Sequence, residues 1–99
     1  TAMLLLISPQ TYAVSRLRSR QDIMSEVLRH VQEPQVRTRV MYSVNLSYTQ
    51  TQYYFRQMQG HGLIRQTDNN KWVATEKGRK FLRLCEEAQR ILNDSILSS

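Results

Sequence analysis

The three residues Asn45-Leu46-Ser47 constrain this chain more than any other feature, because a helical pattern stops on one side of them and restarts on the other. Upstream, Val36, Val40, Met41 and Val44 recur on one face, which predicts a short helix from about Val36 to Val44. Asn45 fits its C-cap, since asparagine tolerates the left-handed conformation better than most residues. Downstream, Ser47-Tyr48-Thr49-Gln50 matches a capping box, in which the serine hydroxyl and the glutamine amide satisfy orphan backbone N–H groups reciprocally. A helix is therefore expected to begin at Tyr48 and run to about Gln59. Gly60 and Gly62 follow, and either can take the positive φ of a helix stop.

Two helices joined by so short a break form a helix-turn-helix. Ahead of it, Ile23, Met24, Val27, Leu28 and Val31 lie at helical spacing from about Arg20 to Gln32, with Ser19 as N-cap and Asp22 in the first turn. This helix is expected to stop at Glu33, because Pro34 disfavours helical geometry in the residue before it. After the pair comes a hairpin pattern: Leu63 to Thr67, the turn Asp68-Asn69-Asn70, then Lys71 to Ala74. Thr75 can cap a last helix that reaches Asp94 or Leu97, with Glu76 complementing its dipole. The predicted fold class is α+β, mostly α: a winged helix-turn-helix of three helices and a two-stranded wing, followed by a long C-terminal helix. Residues 1–15 form an extension of open structure, residues 16–75 the winged domain, and residues 76–99 the last helix.

The 99 residues suffice for one domain only, and the three glycines and two prolines suit a helix-rich chain. No apolar run approaches the roughly 18 residues needed to span a bilayer. The longest, Met3 to Ile7, lacks the basic lead-in of a secretory signal. A cytoplasmic protein is expected, with Met3 a candidate natural start. The five apolar residues Met3 to Ile7 should pack, as strand or short helix, against the domain or a second subunit. The lone Cys85 excludes an internal disulfide and any zinc site needing two thiolates. His30 and His61 are isolated, Glu86 and Glu87 point apart on a helix, and no glycine-rich phosphate loop is present. No enzyme, no metal and no cofactor is expected.

Charge supplies the functional hint. The formal net charge is +6, and nine basic residues against two acidic ones fall between Arg37 and Arg83. A clustered excess of this kind suits a polyanionic partner, although a merely solvated basic surface would read the same way.

Arg39-Val40-Met41-Tyr42, Asn45-Leu46-Ser47-Tyr48, Gly62-Leu63-Ile64 and Thr75-Glu76-Lys77-Gly78 with Phe81-Leu82 after it stand in an order and spacing that extends over about Gln32 to Leu92. In these residues the chain resembles the archaeal winged helix-turn-helix family of predicted transcriptional regulators, a group that includes dimeric chromatin-associated DNA binders. Two positions depart from the family: Val36 stands where a small polar cap for the second helix is usual, and Thr51 where the recognition helix usually carries leucine. The resemblance implies binding of double-stranded DNA and a homodimer built on the last helix.

In a helix-turn-helix the second helix of the pair, here about 48–59, enters the major groove and presents its outer face to base edges. At about 100° per residue, Thr51, Tyr54, Phe55 and Met58 form its apolar face. Thr49, Tyr53 and Arg56 lie opposite, flanked by Gln50, Gln52 and Gln57. Arginine can chelate guanine, glutamine can pair with adenine, and tyrosine and threonine can reach phosphates or a thymine methyl. A polar outer face is also what any soluble helix shows. Tyr48 either touches a phosphate or packs against the preceding helix. Arg37 and Arg39 are placed to hold the DNA backbone, or else are simply solvated at a helix start. On the wing, hairpin 63–74, Arg65 and Lys71 are the expected contacts, whereas Asn69 and Asn70 are explained by turn chemistry. Trp72 is expected in the core beneath the wing. Gly78 is expected to let the hairpin backbone approach closely.

Along the last helix, Phe81, Leu84, Cys85, Ala88, Ile91 and Leu92 make a stripe wide enough to cover the domain with one edge and meet a partner with the other. Leu84, Ala88, Ile91 and Leu92 are the expected dimer interface, with Ile96 and Leu97 beyond. A monomer whose tail folds back on Met3 to Ile7 is the alternative. The expected function is a transcriptional regulator that occupies duplex DNA in the nucleoid. The alternatives are an architectural chromatin protein with little sequence preference, or a winged helix whose recognition face meets a protein.

Overall fold

The computed structural model describes residues 18–98, and side chains through residue 93. Its elements run α1 (Arg20–His30), α2 (Arg37–Val44), α3 (Tyr48–Gly60), β1 (Ile64–Gln66), β2 (Trp72–Ala74) and α4 (Glu76–Ser98). The expected extension 1–15, including Met3 to Ile7, lies outside the described residues, as do the side chains of Ile96 and Leu97.

Local chemistry sets most element ends. Ser19 caps α1 through its hydroxyl, which accepts from the Asp22 N–H at 3.0 Å, while the Asp22 carboxylate accepts from the Ser19 N–H at 3.1 Å. The capping box expected at Ser47 is present: Ser47 Oγ accepts from the Gln50 N–H at 3.0 Å and Gln50 Oε1 from the Ser47 N–H at 2.9 Å. Asn45 adopts φ 61°, and the Leu46 and Asn45 N–H groups return to the carbonyls of Met41 and Tyr42. Gly62, not Gly60, takes the positive φ (76°) after α3, and the Leu63 and Gly62 N–H groups return to Met58 and Gln59. Both stops are Schellman motifs that fold their next apolar residue, Leu46 or Leu63, into the core.

α1 ends at His30, earlier than the proline required. The Val31 carbonyl accepts from the Ala74 N–H at 2.8 Å, so β2 takes the acceptor that a further helical turn would use. Val36 also departs from the expected pattern. It is the extended N-cap residue of α2 (φ −74°, ψ 145°), makes no side-chain cap, and is 45% exposed rather than packed with Val40 and Val44. Thr51 is buried in the place of a leucine, and its hydroxyl donates to the Ser47 carbonyl at 2.8 Å, which satisfies the polar group that burial would otherwise strand.

β1 and β2 pair antiparallel, with Ile64 opposite Ala74, Arg65 opposite Val73 and Gln66 opposite Trp72. Gln35, just before α2, adds an antiparallel bridge to Trp72 that the sequence did not foretell. The core gathers Val27 and Leu28 of α1, Val40 and Val44 of α2, and Phe55 and Met58 of α3. Trp72 closes it from the wing side, its ring edge-to-face with Phe55 at 5.2 Å. The fold is thus a winged helix: three helices, a two-stranded wing and a long C-terminal helix.

α4 is anchored at its start. The Thr75 hydroxyl accepts from the Gly78 N–H at 3.0 Å, and the Thr75 N–H donates to the Leu63 carbonyl at 2.9 Å. A Cβ on Gly78 would overlap that same carbonyl and press on Leu28, so this turn can approach the hairpin only as glycine.

Candidate nucleic-acid interface

The apolar face expected for α3 is the buried one: Thr51, Tyr54, Phe55 and Met58 all face the core. Thr49, Tyr53 and Arg56 consequently face outward, with Tyr53 41% exposed. The sequence held no sign that Arg20, the first residue of α1, reaches this face, yet its guanidinium lies 6.0 Å from the Tyr53 ring centroid. Tyr54 meets Tyr53 in an edge-to-face arrangement at 5.2 Å, so the exposed phenol has both a cation and a buried ring beside it.

Tyr48 is 62% exposed, and its hydroxyl accepts from Gln52 Nε2 at 2.6 Å. It therefore stands largely in solvent at the head of α3. Gln50 is exposed, but its Oε1 is committed to the cap, which leaves only its NH₂ group free to donate outward.

Arg37 and Arg56 line one open cleft of about 330 Å³ between the start of α2, α3 and the wing. Gln52 and Gln59 of α3 and Gln66 of β1 contribute amides to it, over a floor of Phe55 and Trp72. The Gln35–Trp72 bridge explains the convergence, because it pins the chain two residues before Arg37 to the wing. No carboxylate lines the cleft. Among the described residues Arg18, Arg29 and Arg79 pair with Glu26, Glu86 and Glu76, whereas Arg37 and Arg56 make no ion pair.

Arg39 is exposed on α2, away from the cleft lining. Arg65 and Gln66 are successive residues of β1, so they point to opposite faces of the hairpin, and only Gln66 joins the cleft. Lys71 is exposed in the wing turn, where Asn70 takes φ 60° and the Thr67 hydroxyl accepts from the Lys71 N–H at 3.1 Å. Gln66, Gln59 and Arg20 are the residues that sequence reasoning missed. Periodicity places a residue on its own element but is silent on which foreign element will lie beside it.

On α4, Leu82 is buried and Phe81 packs against the core, while Leu84, Ile91 and Leu92 are 56–60% exposed. Ala88 is exposed and Cys85 half-buried along the groove between α1 and α4. Across this groove Arg29 pairs with Glu86 at 3.2 Å. Among the described residues no group of three or more His, Cys, Asp or Glu is placed to hold a metal ion, and no helix is long and apolar enough to cross a membrane.

No curated protein matches the chain. Among solved structures it is similar to that of Sso10a-2, a DNA-binding protein from Sulfolobus solfataricus, with a TM-score of 0.70 and 27% identity over 82% of this chain and 88% of that one. The winged helix-turn-helix profile matches residues 17–93, from just before α1 into the distal part of α4. With that match extending over most of its length, the chain belongs to the winged helix-turn-helix family.

Proposed function

We propose that this winged-helix chain binds double-stranded DNA and regulates transcription by occupying it. In this reading α3 enters the major groove and the β1–β2 hairpin serves as the wing. The observation that carries the reading is the outer face of α3, where Thr49, Tyr53 and Arg56 stand clear of the core with no carboxylate among them. Arg37, Arg39, Arg65 and Lys71 extend the positive charge onto the neighbouring elements, as phosphate contacts that position the helix. Tyr48, Gln50 and Gln52 contribute donors at the head of α3. The similar Sulfolobus protein is a DNA-binding protein, which supports the same reading.

Residues 16–75 act as the DNA-binding domain, and residues 76–99 as the dimerisation helix. Leu84, Ala88, Ile91 and Leu92 form the contact with a second copy, because exposed apolar side chains on consecutive turns are stabilised by mutual burial. A two-fold dimer would offer two recognition helices to successive major grooves, and the protein would reside on the nucleoid.

Titration of the purified protein against duplex DNA at several salt concentrations tests the reading. Binding through about six phosphates should weaken by several tenfold steps as salt rises from dilute to moderate. A tighter hold on a selected duplex than on random ones makes the protein a regulator, and equal affinities make it an architectural protein. No binding in dilute buffer would leave the protein-interaction alternative.

A further inference from the structure

We infer that the cleft between Arg37 and Arg56 is the seat of a single DNA backbone phosphate, and that Arg56 is therefore a phosphate clamp and not a reader of guanine. The inference rests on the DNA-binding reading above and assigns a residue role that the outer face of α3 alone leaves open.

In B-DNA each sugar-phosphate strand separates the major groove from the minor groove. When α3 occupies the major groove and the wing approaches the next minor groove, whatever lies between them faces that strand. The cleft lies there, with Gln52, Arg56 and Gln59 from α3, Gln66 from β1 and Arg37 from α2.

The chemistry agrees. Two guanidinium groups lining one cleft without a carboxylate repel each other until an anion enters. The planar N–H forks of arginine match the oxygens of a phosphate, and the amides of Gln59 and Gln66 can donate to those that remain. Both arginines are free to turn toward such an anion, since neither is held by an ion pair among the described residues. The floor is rigid: Phe55 and Trp72 meet edge-to-face and both are buried. A flat base edge is a poor fit to a recess where α2, α3 and the wing meet, whereas a tetrahedral phosphate can settle into it. Discrimination among bases then falls to Thr49 and Tyr53, which lie outside the cleft lining, with Arg20 and Tyr54 beside Tyr53.

The test is binding of R37A, R56A, R56K and the double R37A/R56A variant to several duplexes of unrelated sequence, across a range of salt. Circular dichroism first establishes that each variant folds like the parent. Each single alanine variant should lose roughly tenfold in affinity, by the same factor on every duplex. R56K should retain most of the binding, because a lysine can neutralise a phosphate but cannot chelate guanine with two parallel bonds. The double variant should lose less than the product of the two single factors, with the slope of log K against log salt reduced by about 0.9, the value for one phosphate.

A loss confined to guanine-containing duplexes would overturn the assignment. So would a double variant that loses the full product with a slope change of about two phosphates, or single variants that bind as the parent does. In those three cases the parent still binds DNA and only the phosphate seat fails. A parent that binds no duplex in dilute salt would remove the DNA-binding reading itself.

Discussion

The outer faces of α3 and of the distal part of α4 are both exposed, and they differ in what water does to them. Tyr53 on α3 is 41% exposed beside Thr49 and Arg56, where solvent can satisfy every polar group. Ile91 and Leu92 on α4 are 60% and 58% exposed, and solvent offers them nothing. Both helices place their buried faces on the same core, α3 through Phe55 and Met58, and α4 through Leu82 and the half-buried Phe81. Exposure alone therefore does not tell a partner's kind. A polar face with a positive bias is stable alone and can wait for an anion, while an apolar face is driven to bury itself.

Four variants would break or sharpen this contrast. Gly78→Ala attacks the point where α4 is fixed to the domain. The added methyl meets the Leu63 carbonyl, which already accepts from Thr75 and has little room to move, so a loss of about 3 kcal/mol is expected by urea denaturation. A variant that unfolds at the parental urea midpoint would mean that the hairpin can shift away from α4.

Ile91→Glu combined with Leu92→Glu charges the free end of α4 without touching the core. Under the dimer proposal, light scattering should report a halved mass and circular dichroism an intact domain. An unchanged mass would place the dimer contact elsewhere.

Arg18→Ala removes a tie between the start of the domain and the end of α2. The Arg18 guanidinium donates to the Val44 carbonyl at 3.0 Å and pairs with Glu26 at 3.0 Å, which braces the turn that enters α3. Because the pair is about one-third exposed or less on both sides, the expected loss is modest, about 1–2 kcal/mol in thermal or urea unfolding.

The smallest effect is expected from Val36→Ser. It supplies the side-chain cap that α2 lacks and should stabilise the fold by about 0.5–1 kcal/mol. A calorimetric scan with no gain would show that the Val36 side chain contributes packing that offsets the missing cap.

Much of the architecture was legible in the sequence because its signals are local. Ser19 and Ser47 act on amides three residues away, and Asn45 governs a stop whose bonds span a single turn. The buried face of α3 follows from a 100° rotation per residue and needs no knowledge of the rest of the chain. Val36 was misplaced for the same reason: helical periodicity was extended one residue into extended backbone, where the phase no longer applies. Nothing local could announce that Ala74 would take the Val31 carbonyl and shorten α1, or that Gln35 would pair with Trp72.

The sequence by itself determined that three helices precede the hairpin, where α2 stops and α3 starts, that Trp72 belongs to the core, and that the positive charge gathers in the middle of the chain. Those properties arise from interactions over a few residues or from composition. Only the tertiary structure decided that Arg37 and Arg56 share a cleft, that Gln66 joins them while Arg65 does not, and that Arg20 lies against Tyr53. The physical reason is that such convergence depends on the crossing of α2, α3 and the wing. That crossing is set by the packing of Phe55 on Trp72 and by a bridge between residues distant in sequence.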